Sequence, residues 1–318
     1  MKNIRKLKVA NLPTPIQKLK KVSNRYGKSI YIKRDDMTGI EFSGNKIRKL
    51  EYLVAYALEK NIDTLITAGG VQSNHARATS AICARYGLSC HLVLTGSKDS
   101  EVDGNLWLDY MLGSTIHFID TNQSVDKKMS EIYSELKSYG KNPLIVPIGA
   151  SNSIGSLGYI NAFSEIIKQE QELNLEFDSI VTAVGSGGTY AGLLAGDAKY
   201  RSKKRIQGFS VNKSKKVFQE DIEKILIDMG VSKHGQIHIN DSYIGSGYAI
   251  SQDNELVFYR NLAQEEGIIL DPCYTGKAFY GLVNELDGDL RDSKNILFIH
   301  TGGLFGWKYE DKQRALVL

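Results

Sequence analysis

Lys46 stands in "FSGNKIRKLEYL" (residues 42–53), directly after Gly44 and Asn45 and just before Arg48 and Lys49. An amine beside other cations has its ammonium form disfavoured, which lowers its pKa. Such a lysine is a nucleophile able to form an imine with an aldehyde. The ordinary alternative is a solvated lysine, the commonest fate of this residue. Ile47, Leu50, Val54 and Ala57 recur at helical spacing, so a helix begins near Asn45 or Lys46, with Lys46 on the Gly-Asn turn before it. Three cations at the positive end of a helix cost about 0.3–1 kcal/mol each unless something offsets them. A bound anion facing Arg48 or Lys49 would do so; otherwise Arg48 is a solvated or structural arginine.

Two glycine-rich turns are candidate anion sites. In "VGSGGTYAGLLAG" (184–196), Gly185, Gly187 and Gly188 allow close approach of backbone N–H groups, and Ser186 and Thr189 add hydroxyls ahead of a helix. The lysine-bearing phosphate loop of nucleotide hydrolases is not matched, because GK[ST] is missing. The competing reading is a tight strand-to-helix turn. In "GGVQSNHAR" (69–77), Ser73 is a plausible N-cap, and the amides of Ser73, Asn74 and His75 are placed to grip a carboxylate. His75 alone reads as an ordinary helix residue. His234 and His238 are four apart but lie in a strand-like pattern, which argues against a metal pair. No G-x-S-x-G elbow supports serine hydrolysis.

These turns need strands and helices to aim them. Short apolar runs suggest strands at 29–36, 63–70, 90–96, 114–120, 144–150, 179–188, 206–211 and 296–303. Several are continuous Val/Ile/Leu stretches, as buried parallel strands require. Helical patterns fall at 45–60, 74–86, 104–112, 125–138, 156–174, 189–200, 215–229, 251–266 and 276–286. The alternation predicts an α/β fold of two open, mostly parallel sheets flanked by helices. "TAGGVQSNHAR", "AVGSGGTYAG", "IGSGYAI" and "HTGGLFGW" all sit at strand ends, where ligands bind in open α/β sheets. They predict one cleft lined by all of them.

The chain has 318 residues, enough for two lobes. Its net charge of +4 is too small to argue for nucleic acid and suits a local anion site. The three cysteines, Cys83, Cys90 and Cys273, form no CxxC, and their odd number argues against a disulfide framework. Cys83 and Cys90 read as core thiols. A cytoplasmic protein is the expectation, with no secretory signal and no run of about 18 apolar residues to cross a membrane.

Taken together, "SGNKIRKLEYL", "GGVQSNHAR", "GSGGT", "GSGY", "DPCYTGKA" and "HTGG", in this order, resemble the D-cysteine desulfhydrase and 1-aminocyclopropane-1-carboxylate deaminase family. Its members are pyridoxal-phosphate enzymes with the tryptophan-synthase β-subunit-like fold. The resemblance runs from "LPTPIQKL" near the N-terminus to "HTGG". It implies a large cofactor-binding lobe from 1–47 plus 157–318, a smaller inserted α/β lobe from 48–156, and a homodimer. It further implies that Lys46 carries pyridoxal 5'-phosphate, that Lys49 contacts its phosphate and that Gly185, Ser186, Gly187, Gly188 and Thr189 form the phosphate loop. Asn74 is implied beside the ring hydroxyl, and Ser73 with the neighbouring Asn74 and His75 at the substrate carboxylate. Tyr248 and Tyr274 match the two active-site tyrosines.

The resemblance also separates the two activities. The deaminases read "DPVYEGK", with leucine in the later H-x-GG; this chain has Thr275 and Thr301 at those positions, as desulfhydrases do. His75 leans the same way. A carboxylate against the pyridine nitrogen holds it protonated, whereas a threonine hydroxyl only hydrogen-bonds it. The expected reaction is α,β-elimination on D-cysteine, giving pyruvate, hydrogen sulfide and ammonia. The alternatives are a cyclopropane deaminase, a lyase for another β-substituted amino acid such as cysteate, and a non-catalytic cofactor- or anion-binding protein.

Overall fold

The computed structural model describes residues 5–318. In chain order, β1 (Ile16–Lys18), α1 (Lys20–Tyr26), β2 (Ser29–Lys33) and α2 (Asn45–Glu59) lead into β3 (Thr64–Gly70) and α3 (Asn74–Tyr86). Then follow β4 (Ser89–Thr95), α4 (Gly104–Met111), β5 (Thr115–Ile119), α5 (Val125–Ser138), β6 (Pro143–Ile145) and α6 (Ser153–Leu173). The last third holds β7 (Ser179–Val184), α7 (Gly188–Tyr200), β8 (Arg205–Ser210), α8 (Lys215–Asp228) and β9 (His238–Asn240). It ends with α9 (Asp253–Glu266), α10 (Thr275–Asn284), β10 (Asn295–Ile299) and α11 (Tyr309–Val317).

The strands sort into two sheets. Six run β1-β2-β10-β7-β8-β9, and only the β1–β2 pair is antiparallel. Four run β5-β4-β3-β6, all parallel. Helices cover both faces of each. On the larger sheet, Ile180, Val184, Ile206, Leu297 and Ile299 pack with Phe163, Leu193 and Phe218 of α6, α7 and α8. Its other face packs Ile32, Val181, Phe209 and Phe298 against Leu262, Phe279 and Leu282. Strands buried on both faces need apolar residues at consecutive positions, which is why these runs do not alternate. On the smaller sheet, Leu65, Leu92 and Leu94 meet Ile47, Leu50 and Val54 of α2, and Ile66 and Val93 meet Met129 and Ile132 of α5.

Helix α2 is the element that aims the lysine. Ile47, Leu50, Leu53, Val54 and Ala57 are all buried, so one apolar stripe fixes its rotation. Its start is pinned by Gly44, whose φ of 106° suits only glycine and whose Cβ, if present, would lie 2.6 Å from Thr301 O. The Asn45 amide then donates to Thr301 O at 3.1 Å, tying "SGNK" to "HTGG". Because α2 begins at Asn45, Lys46 lies in its first turn rather than on the turn before it. Along its flank α2 meets α6 so closely that a Cβ on Gly158 would sit 2.3 Å from Arg48 O.

Some boundaries differ from the periodicity. The run 144–150 is strand only to Ile145; Pro147 and Gly149, with φ 73°, turn it into a short helical bend at Ile148–Ala150. The run 296–303 is strand only to Ile299, with Gly302 and Gly303 at positive φ after it. The strands β1 and β9 have three residues each, too few for a pattern.

Candidate active site

The carboxyl ends of β3, β7 and β10 open onto a cavity of about 790 Å³. Lys46, Ser73, Asn74, His75, Gly185, Ser186, Gly187, Thr189, Tyr248, Tyr274 and Thr301 line it, so the separate turns do converge. Lys49, Gly188 and Thr275 lie behind its wall.

Lys46 Nζ donates to Asn45 Oδ1 at 2.8 Å, and Asn45 Nδ2 donates to Thr189 Oγ1 at 2.9 Å. Burial lowers the Lys46 pKa to about 8, Asp271 opposing and Arg77 assisting the shift. Burial, more than neighbouring cations, therefore makes the amine available. The ring of Tyr274 lies 5.8 Å from Nζ.

The turn before α7 has the geometry of an anion cradle. The amides of Ser186, Gly187 and Thr189 have no protein acceptor among the described residues. Behind it, Lys49 Nζ donates to Gly149 O and Ser151 Oγ, both at 3.1 Å. A lysine has three N–H bonds, so one remains for an anion. With none beside it, burial and then Lys46 push the Lys49 pKa well below its ordinary value. Ser151 Oγ also bonds Ser186 Oγ at 2.8 Å and accepts from the Gly188 amide at 3.2 Å. No local pattern marks Ser151, whose role arises only where the 148–150 bend meets the loop.

At the start of α3, Ser73 is the N-cap, its Oγ accepting from Ala76 N at 3.2 Å. The Ser73 amide is already committed to Gly70 O at 3.0 Å, which removes it from the expected set of anion donors. The Asn74 and His75 amides have no protein acceptor among the described residues and lie at the positive end of the helix. His75 is neutral, because burial holds its pKa well below the ordinary value. Its tautomer is fixed: the Thr67 hydroxyl spends its proton on Val146 O at 2.9 Å, so His75 Nε2 donates to Thr67 Oγ1 at 2.8 Å.

The remaining wall comes from "DPCYTGKA". Asp271 Oδ2 accepts from the amides of Cys273 and Tyr274, at 3.1 and 2.8 Å. Asp271 Oδ1 accepts from the Thr275 amide at 2.8 Å and the Thr275 hydroxyl at 2.6 Å. Thr275 is thus a buried partner of Asp271, and Thr301 is the threonine of this pair that reaches the cavity. The hydroxyls of Tyr248 and Tyr274 are hydrogen-bonded to each other, and burial raises the Tyr274 phenol well above its usual range. Cys273 lines the cavity between them as a thiol, since burial raises its pKa to about 12.

Below the cavity, Arg48 is fully buried. Its Nε and Nη2 donate to Asp35 Oδ2 and Oδ1 at 2.9 and 2.7 Å, and its Nη1 donates to Glu165 Oε2 at 3.0 Å. Lys33 Nζ donates to Glu165 Oε1 at 2.6 Å, and the Tyr159 hydroxyl donates to Asp35 Oδ2 at 2.6 Å. Burial opposes charge on Asp35, but Arg48 and Lys33 outweigh it and hold the carboxyl low; Arg48 does the same for Glu165. The arginine is structural.

Residues 7–302 match the family described as Pyridoxal-phosphate dependent enzyme. The chain belongs to that family. Within the pyridoxal-phosphate dependent enzymes it is 40% identical over 316 residues to the bifunctional D-cysteine desulfhydrase/1-aminocyclopropane-1-carboxylate deaminase, mitochondrial, of Arabidopsis thaliana, covering 94% of this chain and 78% of that protein. It is 37% identical to the D-cysteine desulfhydrase of Serratia proteamaculans (strain 568), covering 94% of this chain and 93% of the relative. A solved homologue of 1-aminocyclopropane-1-carboxylate deaminase superposes with a TM-score of 0.91 at 39% identity, over 99% of this chain and 97% of the other. Among the described residues no helix is long and apolar enough to cross a membrane. The cofactor of this family is pyridoxal 5'-phosphate, and the residues present fit it. The cavity offers an amine with a lowered pKa, a cradle of unpartnered amides, and a buried lysine short of an anion.

Proposed function

We propose that this chain is a carbon–sulfur lyase that converts D-cysteine and water to pyruvate, hydrogen sulfide and ammonia. The observation that carries the reading is the stretch of wall made by Thr301 and Asp271. Thr301 offers a hydroxyl there, while both oxygens of Asp271 are committed to three amides and the Thr275 hydroxyl. A wall of this kind would offer the ring nitrogen of bound pyridoxal phosphate a hydroxyl rather than a free carboxylate. That suits loss of an α-proton followed by departure of a good leaving group.

Lys46, Lys49, Asn74, Thr301 and the loop 185–189 would hold pyridoxal phosphate, which when bound supplies an electron sink for the substrate α-carbon. The amides of Asn74 and His75 bind the substrate carboxylate at the α3 N-terminus. Lys46 Nζ, with a pKa near 8, is a general base matched to neutral pH and removes the α-proton. The Tyr274 hydroxyl, kept protonated by burial and held by Tyr248, delivers a proton to the departing sulfur and regains one from the Lys46 ammonium, which returns Lys46 to the neutral amine. Cys273, remaining a thiol, takes no nucleophilic part.

The test is a substrate panel on the cofactor-loaded protein: D-cysteine, L-cysteine, cysteate and 1-aminocyclopropane-1-carboxylate, with sulfide, pyruvate and ammonia measured. D-cysteine should give equal sulfide and pyruvate. The name of the Arabidopsis thaliana relative carries both activities and favours a second reading as a deaminase. Faster ammonia release from the cyclopropane than from D-cysteine would replace the lyase assignment with it. A Tyr274→Phe protein should bind the cofactor normally and lose about 10²-fold or more in kcat with little change in KM. An unchanged kcat would remove Tyr274 from the proton path.

A further inference from the structure

Asn74 faces the cavity, but its side-chain amide is oriented from behind by residues outside the wall already described. Asn74 Oδ1 accepts from Asn105 Nδ2 at 3.0 Å. Asn105 is fully buried in the first turn of α4, and its side chain has two other partners. Its Oδ1 accepts from Arg77 Nε at 3.1 Å, and its Nδ2 donates to Gln72 O at 3.0 Å. Arg77 is itself fully buried and anchored, donating to Glu41 O at 2.6 Å and Ser43 O at 2.9 Å.

The polarity of this relay is forced at both ends. A guanidinium has no acceptor, so the Asn105 atom facing it must be oxygen. The Gln72 carbonyl has no hydrogen, so the Asn105 atom facing it must be nitrogen. With Asn105 fixed twice over, the Asn74 atom facing it must be oxygen. Asn74 Nδ2 is left with no protein acceptor among the described residues and is the end of the amide available to the cavity that Asn74 lines.

We propose that Arg77 and Asn105 are positioning residues that hold Asn74 as a hydrogen-bond donor toward the ring oxygen of bound pyridoxal phosphate. The inference rests on the functional reading above and adds to it the device that sets the amide. Without the lock, Asn74 can rotate by half a turn and present its oxygen, which a negatively charged ring oxygen disfavours. In the loaded protein one proton is shared between the ring oxygen and the nitrogen linked to Lys46. A fixed donor at the ring oxygen places that proton on the nitrogen, the form that absorbs at longer wavelength. An acceptor in the same place draws it to the oxygen, the form that absorbs at shorter wavelength. Only the proton moves, so the total charge is unchanged.

Asn105→Asp tests this. The new carboxylate accepts from Arg77 and, having no donor, makes Asn74 turn its Nδ2 away from the cavity. The ratio of long- to short-wavelength absorbance of the loaded protein at fixed neutral pH should fall about tenfold, as befits a hydrogen bond to a charged oxygen. In an Asn74→Ala background, Asn105→Asp should add nothing. Where Asn105→Asp does not give folded protein, Asn105→Ala releases Asn74 and should show a smaller fall of the same sign. A wild-type ratio in a folded, fully loaded variant, or an equal fall in the Asn74→Ala background, overturns the relay and leaves the functional reading standing. A wild-type protein that takes up no cofactor overturns both.

Discussion

Lys46→Ala is expected to abolish the visible absorbance of the cofactor-loaded protein and to cut turnover by at least about 10⁴-fold. Borohydride reduction of the wild type should fix the cofactor on the peptide containing residue 46. A Lys46→Ala protein that keeps the visible band would show that the anchor lies elsewhere. The same substitution should stabilise the cofactor-free protein. Burial depresses the native pKa of Lys46 to about 8 from 10.5, so holding this lysine costs on the order of 3 kcal/mol at neutral pH. The sign follows from a depressed lysine: the cost is full below the native pKa and vanishes as the pH rises above the unfolded one. The gain from Lys46→Ala in urea unfolding should therefore shrink as the solution is made alkaline.

Arg48→Met should destabilise the cofactor-free protein by about 3–5 kcal/mol, read from urea unfolding, because it leaves the buried Asp35 and the partly buried Glu165 without their principal cation. A change below about 1 kcal/mol would show that Lys33 alone balances the cluster. The pH dependence has a definite sign. Asp35 and Glu165 are both held below the ordinary carboxylate range, so their contribution is present above that range. It is lost as the pH falls through the lowered native values. The gap between wild type and Arg48→Met should therefore close on acidification.

Much of the candidate site was legible because its residues lie in short turns next to long periodic runs. The helix containing Lys46 is fixed by Ile47, Leu50 and Val54, and the α3 N-terminus by Ser73 ahead of a regular helix. What stayed hidden depends on contacts distant in sequence. Arg48 finds its partners 13 and 117 residues away, and Asn105 reaches Asn74 across 31 residues. Neither spacing leaves a local pattern. Ser151 was masked by the apolar run 144–150, which looks like unbroken strand until Pro147 and Gly149 bend it. Thr275 shows the converse: its type was readable, but its direction depends on Asp271, which turns the hydroxyl inward. The polar helix α11 and the short helix α1 carry too little apolar periodicity to be seen beforehand.

The contact at Gly158 bears on how this enzyme can diversify. With Arg48 O only 2.3 Å from where a Cβ would be, even alanine at 158 would push the lysine-bearing helix aside, so neither helix of that crossing is free to drift. Side chains that line the cavity without belonging to that crossing, among them Tyr248 and Cys273, can change with less disturbance to the lysine-bearing helix. A library for altered specificity is best spent at such positions, with 158 and 48 left untouched.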